Sequence, residues 1–320
     1  AENGTISMDA GEEINNNTGI KANNGDVILK AGYSITNKKD EKGTGVIEAS
    51  GKISMTTSDL SDSEMDDNSI LNESEIKAGS DITMDAAADL LNSGSLTSTA
   101  GKVTLKGAQK ADDTNDIIGH VSNTGTIDAK GDILLSTKNG YVNNQRQITS
   151  AEGSVTMDAK KAKSHTGEEV IGDIYNVGES GSTQETAIKA KKGIHISTDY
   201  DFVNAGDYEV TGEGAIDITT NRHFINSGAM ATTKGDVTIT SIDGGIFNYE
   251  TGDIATKDGN VTLHTQSKDA DMWYLDETGE WLKVTKLNLK NVTTDENGDK
   301  YYTIGDKKHW VSEDGSISNA

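Results

Sequence analysis

Residues 120–144 read HVSNTGTIDAKGDILLSTKNGYVNN. Ile133 and Leu135 stand two apart, a lone Ile127 precedes them by six residues, and Asn123 and Asn143 each follow an apolar residue by one or two places. Gly-Asp and Asn-Gly dipeptides punctuate the apolar positions, as they do at tight turns. Alternation of this kind buries one face of a strand. Strands this short cannot make a core alone, so the stretch reads as one unit of a repeat.

The unit recurs along the chain. Apolar pairs two residues apart include Ile6/Met8, Val27/Leu29, Ile53/Met55, Ile82/Met84, Val103/Leu105, Val155/Met157, Ile194/Ile196, Ile216/Ile218, Val237/Ile239 and Val261/Leu263. From the second pair onward a single apolar residue lies six or seven places before each, at Ile20, Ile47, Ile76, Leu96, Ile127, Ile148, Ile188, Val210, Met230 and Ile254. Asparagines behind an apolar residue occur at Asn16, Asn37, Asn72, Asn92, Asn123, Asn143, Asn176, Asn204, Asn226 and Asn248, and again at Asn319. Each unit therefore predicts three short strands. Stacking equivalent strands gives an all-β, right-handed parallel β-helix of three sheets and about eleven coils. At roughly 4.8 Å per coil the rod is on the order of 50 Å long. An asparagine at one corner of every coil predicts an internal ladder of side-chain amides, each bonded to its neighbours above and below.

Composition fits a thin core. Of 320 residues only 33% are hydrophobic and 5% aromatic, while 35 are glycine. The formal charge is −23, a surface that repels nucleic acid. No run of apolar residues approaches the roughly 18 that suggest a membrane span. The absence of cysteine suits a reducing cytosol; it equally suits a chain that crosses an outer membrane unfolded.

Extra residues fall at fixed places. From the end of the apolar pair to the next asparagine the spacing is eight in six units, but 17 from Met55, 18 from Leu105, 19 from Met157 and 56 from Leu263. Insertions are thus expected to leave the rod in line at one corner, with a second corner receiving KKDEKGTG after Asn37 and VGESGSTQET after Asn176. The long insertion holds Trp273, Tyr274, Trp281, Tyr301, Tyr302 and Trp310. MWYLDETGEWLKV and VTTDENGDKYYTI read as hairpins. The expected organisation is a shaft over 1–265, an extra-helical β-hairpin insertion over 266–316, and a resumed coil over 317–320. Both ends fall mid-coil, which suggests a piece of a longer solenoid.

SNTGTIDAKGDILLST, LNSGSLTSTAGKVTLKG and INSGAMATTKGDVTIT resemble repeats of the filamentous haemagglutinin family, exoproteins of two-partner secretion in Gram-negative bacteria. The resemblance covers most of residues 3–265. It implies a secreted or cell-surface adhesin that contacts a host-cell or bacterial surface protein or glycan, with an outer-membrane secretion partner for the full-length protein and no membrane insertion. A spacer filament of a contact-dependent toxin-delivery exoprotein carries similar repeats. A β-helix carbohydrate-active enzyme is a third reading.

Catalysis in such a helix needs acidic residues on adjacent coils beside a basic one. In the row after the apolar pair, Asp9, Asp85 and Asp158 lie coils apart, so no enzyme and no catalytic residue is expected. The six histidines lack metal-ligand spacing, and no cofactor is expected. Loosely held calcium at the acidic stretch SDLSDSEMDDNS is the weak exception. The six aromatics of the insertion are the candidate recognition surface, since Trp and Tyr give large, rigid contact area.

Overall fold

The computed structural model describes residues 1–39, 45–58, 69–111, 117–161, 172–178, 186–249 and 251–265, and the strand backbones of 272–275, 281–284, 293–294, 300–304, 307–310 and 317–319. The chain winds into a right-handed parallel β-helix. Sheet 1 gathers the apolar-pair strands and sheet 2 the asparagine strands, eleven in each; sheet 3 gathers the ten single-apolar strands. Coil 1 comprises Ile6–Ala10, Glu13–Asn16 and Ile20–Ala22; coil 6 comprises Ile133–Thr137, Val142–Asn144 and Ile148–Ser150. Coil 11 is Val261–Thr265 followed, beyond the long insertion, by Ile317–Asn319. Ile133 pairs in register with Val103 on one side and Val155 on the other, both parallel.

Each sheet is one coil's strand laid on the next, so identical positions stack. In sheet 1 the pair residues are buried from Val27 to Ile239. The next inward position is small or hydroxylated, as at Ala31, Thr57, Thr137, Thr198 and Ser241. Where it is hydroxylated, the side chain bonds to the main chain at the corner: Thr137 donates to the Gly119 carbonyl, Ser241 Oγ to the Arg222 carbonyl at 2.5 Å, and Thr57 Oγ1 accepts the Ala87 N–H at 2.9 Å. Burying each Ile, Leu or Val contributes about 1.5–3 kcal/mol. One narrow column of such residues supplies the hydrophobic term for the whole rod.

The polar half of the core is the amide ladder. Nδ2 of each asparagine donates to Oδ1 of the next, from Asn16 through Asn37, Asn72, Asn92, Asn123, Asn144, Asn176, Asn204 and Asn226 to Asn248, at 2.7–2.8 Å. The second N–H donates to the main chain two residues on, as Asn204 does to Gly206 O at 2.8 Å, while Asn204 Oδ1 accepts the Gly206 N–H at 3.2 Å. A carboxylate at this corner would lack both donors and would set acceptor against acceptor.

Two sequence expectations are corrected. Asn143 is not in the ladder: it is the middle, outward residue of Val142–Asn144, and Asn144 takes the internal place. Val142 must point inward to stack under Val121, so period two carries the next inward position to Asn144. Val210 is likewise not the single apolar residue of coil 8. Tyr208 stacks between Ile188 and Met230, and Val210 takes the small-residue position beside Ala190.

Insertions leave where the spacing put them. Residues 58–69, 108–120, 160–173 and 266–316 all lie between a sheet 1 strand and the following sheet 2 strand. Residues 38–46 and 177–186 lie between sheets 2 and 3. In the long insertion Met272–Leu275 pairs antiparallel with Trp281–Val284, and Thr293–Thr294, Lys300–Ile304 and Lys307–Trp310 form a three-stranded antiparallel sheet.

The ladder predicts unequal neighbours. Asn144→Ala should destabilise by about 1–3 kcal/mol, because it leaves the amides of Asn123 and Asn176 unpaired. Asn143→Ala should stay within about 0.5 kcal/mol of the parent. Equal urea midpoints for the two would reject the ladder's energetic role. A second expectation concerns Tyr208, fully buried with a hydroxyl that has no hydrogen-bond partner. Tyr208→Phe removes that orphan and keeps the edge contact with Phe202, 6.0 Å between ring centres. It should raise stability by about 1 kcal/mol; a fall in the thermal midpoint would mean that the hydroxyl is satisfied.

Candidate functional surface

The corner entering sheet 2 carries a second ladder, made of acids and imidazoles. Asp89 Oδ1 accepts the His120 N–H at 2.6 Å, and His120 Nδ1 accepts the Tyr141 N–H at 3.1 Å. Asp173 Oδ1 accepts the Asp201 N–H, Asp201 Oδ1 the His223 N–H and His223 Nδ1 the Gly245 N–H, at 2.8–3.0 Å. The reason is positional. Each residue immediately precedes the first inward residue of its sheet 2 strand, so its side chain meets the main chain of the next coil.

Aromatic rings collect around this ladder. The His120 and Tyr141 rings stack at 3.7 Å, and Tyr175 meets Tyr141 edge-on at 6.3 Å. The Tyr175 hydroxyl donates to Asp173 Oδ2 at 2.6 Å. Arg222 lies 4.6 Å over the Tyr200 ring, donates to the Tyr200 hydroxyl, and reaches Asp201 Oδ1 at 3.7 Å. The outward row of sheet 2 continues the patch with half-buried Tyr175, Val203 and Ile225 in register; Phe247, next in that row, is buried. Outward apolar residues on a solenoid sheet are not needed for the fold, and a contiguous apolar patch marks a surface that contacts something.

Electrostatics follow burial. The His120 pKa is held below the ordinary histidine value by desolvation, against the opposite pull of Asp89. Burial raises the Asp173 and Asp201 carboxyls, more than the Tyr175 hydroxyl bond lowers the first and the His223 amide bond lowers the second. Burial, then the bond to Asp173, pushes the Tyr175 hydroxyl far up, so it remains a donor at neutral pH.

Asp173, Asp201 and Arg222 are the acidic pair on adjacent coils with a basic neighbour that an enzyme would use. The two acids lie at the next corner, four residues along the coil from the row after the apolar pair: Ser197 is in register with Asp158, and Asp201 follows it by four. Their bonds describe another role. Each carboxylate accepts a main-chain N–H of the next coil, as Asp89 does, and the Asp173 carboxylate also holds Tyr175. Among the described residues no group of three or more His, Asp or Glu side chains converges as a metal site. Most of the acidic stretch considered for calcium, 59–68, lies outside the described residues. No helix of the described residues is long and apolar enough to cross a membrane.

The six aromatic residues of the long insertion fall on its antiparallel strands. Trp273 pairs across from Lys283, Leu275 from Trp281, and Tyr301 from both Thr293 and Trp310. The side chains of all six, Tyr274 and Tyr302 included, lie outside the described residues.

A second concave region crosses coils 2–6 at the corner after the amide ladder. Lys39 and Arg146 stand at its two ends, with Ser95 and Thr126 between them. Its floor is set by Gly94 and Gly125, where a Cβ would meet the carbonyl oxygen of the preceding coil at 1.8 Å. Only glycine lets these coils approach so closely.

Comparison with protein-family models, with characterised proteins and with solved structures finds no match for this chain.

The corner ladder makes a pH prediction. The folded His120 pKa lies below the unfolded value, so the unfolded chain binds more protons as pH falls through the histidine range, and stability is lost in that window. Asp173 and Asp201 act in the opposite sense: their folded pKa values are raised, and stability present below the ordinary carboxyl range is lost as pH rises through them. A His120→Asn variant keeps an acceptor that does not titrate. Between about pH 7 and pH 5 the parent should lose stability relative to this variant. A constant difference across that range would show that the imidazole does not titrate against the Tyr141 N–H.

Proposed function

We propose that the chain forms the shaft of a secreted or cell-surface filamentous adhesin, and that segments leaving the shaft make its contacts with a host-cell or bacterial surface. One observation carries this reading. Four insertions of different length depart at the same corner, between sheets 1 and 2, while the pairing of the flanking strands stays in register. A scaffold that holds variable segments in line without disturbing its core suits presentation rather than chemistry. The repeats' resemblance to filamentous haemagglutinins supports the same reading. The long insertion, with all three tryptophans, is the segment richest in contact-forming side chains.

The experiment is excision. Residues 266–316 are replaced by a short glycine linker, and the two proteins are compared for adhesion to epithelial cells and to bacterial lawns. The shaft should keep its β-rich circular dichroism, since the same corner accommodates insertions elsewhere. Adhesion should fall at least about tenfold, the loss expected when binding hot spots are removed. A parent chain that adheres to neither surface would favour a spacer filament.

A further inference from the structure

The shaft itself carries a surface the adhesive role has not yet used. Tyr141, Tyr175 and Tyr200 belong to three successive coils and lie around the corner where sheet 2 begins. All three are half-buried, so part of each ring reaches solvent. The rings are fixed in advance: Tyr141 by stacking on His120, Tyr175 by its bond to Asp173, and Tyr200 by the Arg222 guanidinium. Between them lie two carboxylates, Asp173 and Asp201, and one guanidinium donor.

We propose that this patch binds a neutral linear oligosaccharide that crosses the three coils. The proposal rests on the adhesive reading above and gives it a ligand class and a second site. A pyranose has an apolar C–H face and a rim of hydroxyls. Flat rings flanked by two carboxylates and a guanidinium match that combination, because a carboxylate has about four lone-pair sites and a guanidinium five N–H donors, more than their bonds within the shaft use. The ligand is neutral because the local charge is two carboxylates against one guanidinium, on a chain of net charge −23. A sulfated or carboxylated glycan would be repelled. It is linear because the rings come from three successive coils, each roughly 4.8 Å further along the rod, offset sideways with Tyr141 and Tyr200 before the first inward residue of their strands and Tyr175 after it. Rings already held in place lose little freedom on binding, which favours affinity.

Isothermal titration calorimetry on the full chain tests this with cello-, malto- and chito-oligosaccharides of two to six units, and with a heparin hexasaccharide as the anionic control. At least one neutral series should bind. Its affinity should rise from the disaccharide to the tetrasaccharide and then level off as the three coils fill. Tyr175→Ala and Tyr200→Ala should each weaken binding about tenfold. Tyr175→Phe, which keeps the ring, should stay within about threefold, and thermal midpoints would confirm that the variants fold. The proposal is overturned if no neutral series binds at millimolar sugar, if affinity is independent of chain length, if heparin binds more tightly than every neutral sugar, or if both alanine variants bind like the parent. Sugar binding lost only on excision of 266–316 also overturns it and leaves the adhesive reading standing. Cell adhesion without any sugar binding does the same.

Discussion

A buried carboxamide has two donors and an acceptor to satisfy, and at the corner of each coil it finds its partner in the same residue one coil away. That requirement ties the rod together. An asparagine shifted by one residue along its strand would face solvent and leave two amides unpaired, so the ladder enforces register that the thin apolar column alone specifies weakly. Hydrophobic burial supplies most of the favourable free energy; the amides decide which residues lie over which. The corner ladder of Asp89, His120, Asp173, Asp201 and His223 repeats the device with side chain to main chain bonds. The aspartates of the Gly-Asp turns do so again, as Asp132 does for the Ser154 N–H at 2.9 Å.

The repeat, its three parallel sheets and the corner where insertions depart were legible in the sequence, because each follows from a period of two inside a longer recurrence. The errors came where that rule was applied loosely. Allowing the asparagine to follow an apolar residue by one place as well as two admitted Asn143. Requiring two, from Val142, gives Asn144. Tyr208 was overlooked because a tyrosine does not announce itself as core, and because two extra residues before Ile216 made Val210 fit the usual spacing. The tyrosine patch was invisible for a different reason. Residues 142–172 separate Tyr141 from Asp173 in the chain, yet the strands they adjoin are neighbours. Only the register, counted across insertions, brings Tyr141, Tyr175 and Tyr200 together.

Scaffold and surface make opposite demands on the same strands. Inward positions admit little variation, since each side chain touches its own kind above and below. Outward positions are free, and the chain uses them unevenly: alternating charge on sheet 3, with Lys21 and Glu48 2.7 Å apart, against aromatic and aliphatic residues on sheet 2. Exposed ion pairs of the first kind contribute little to stability. The second kind lowers solubility, so its presence asks for a binding role where the first does not.

In all three sheets the strands run across the rod, so their hydrogen bonds point along it. A pull on the two ends of such a shaft therefore loads one coil's bonds at a time, in the manner of a zipper, while the remaining coils stay closed. A coil of 22 residues, Ile133 to Ser154, releases roughly 70 Å of chain at ~3.3 Å per residue and shortens the rod by only ~4.8 Å. The shaft yields by lengthening stepwise. A filament anchored at one end and attached at the other would dissipate a sudden tug in its own unwinding before the bond at its tip carried the full force.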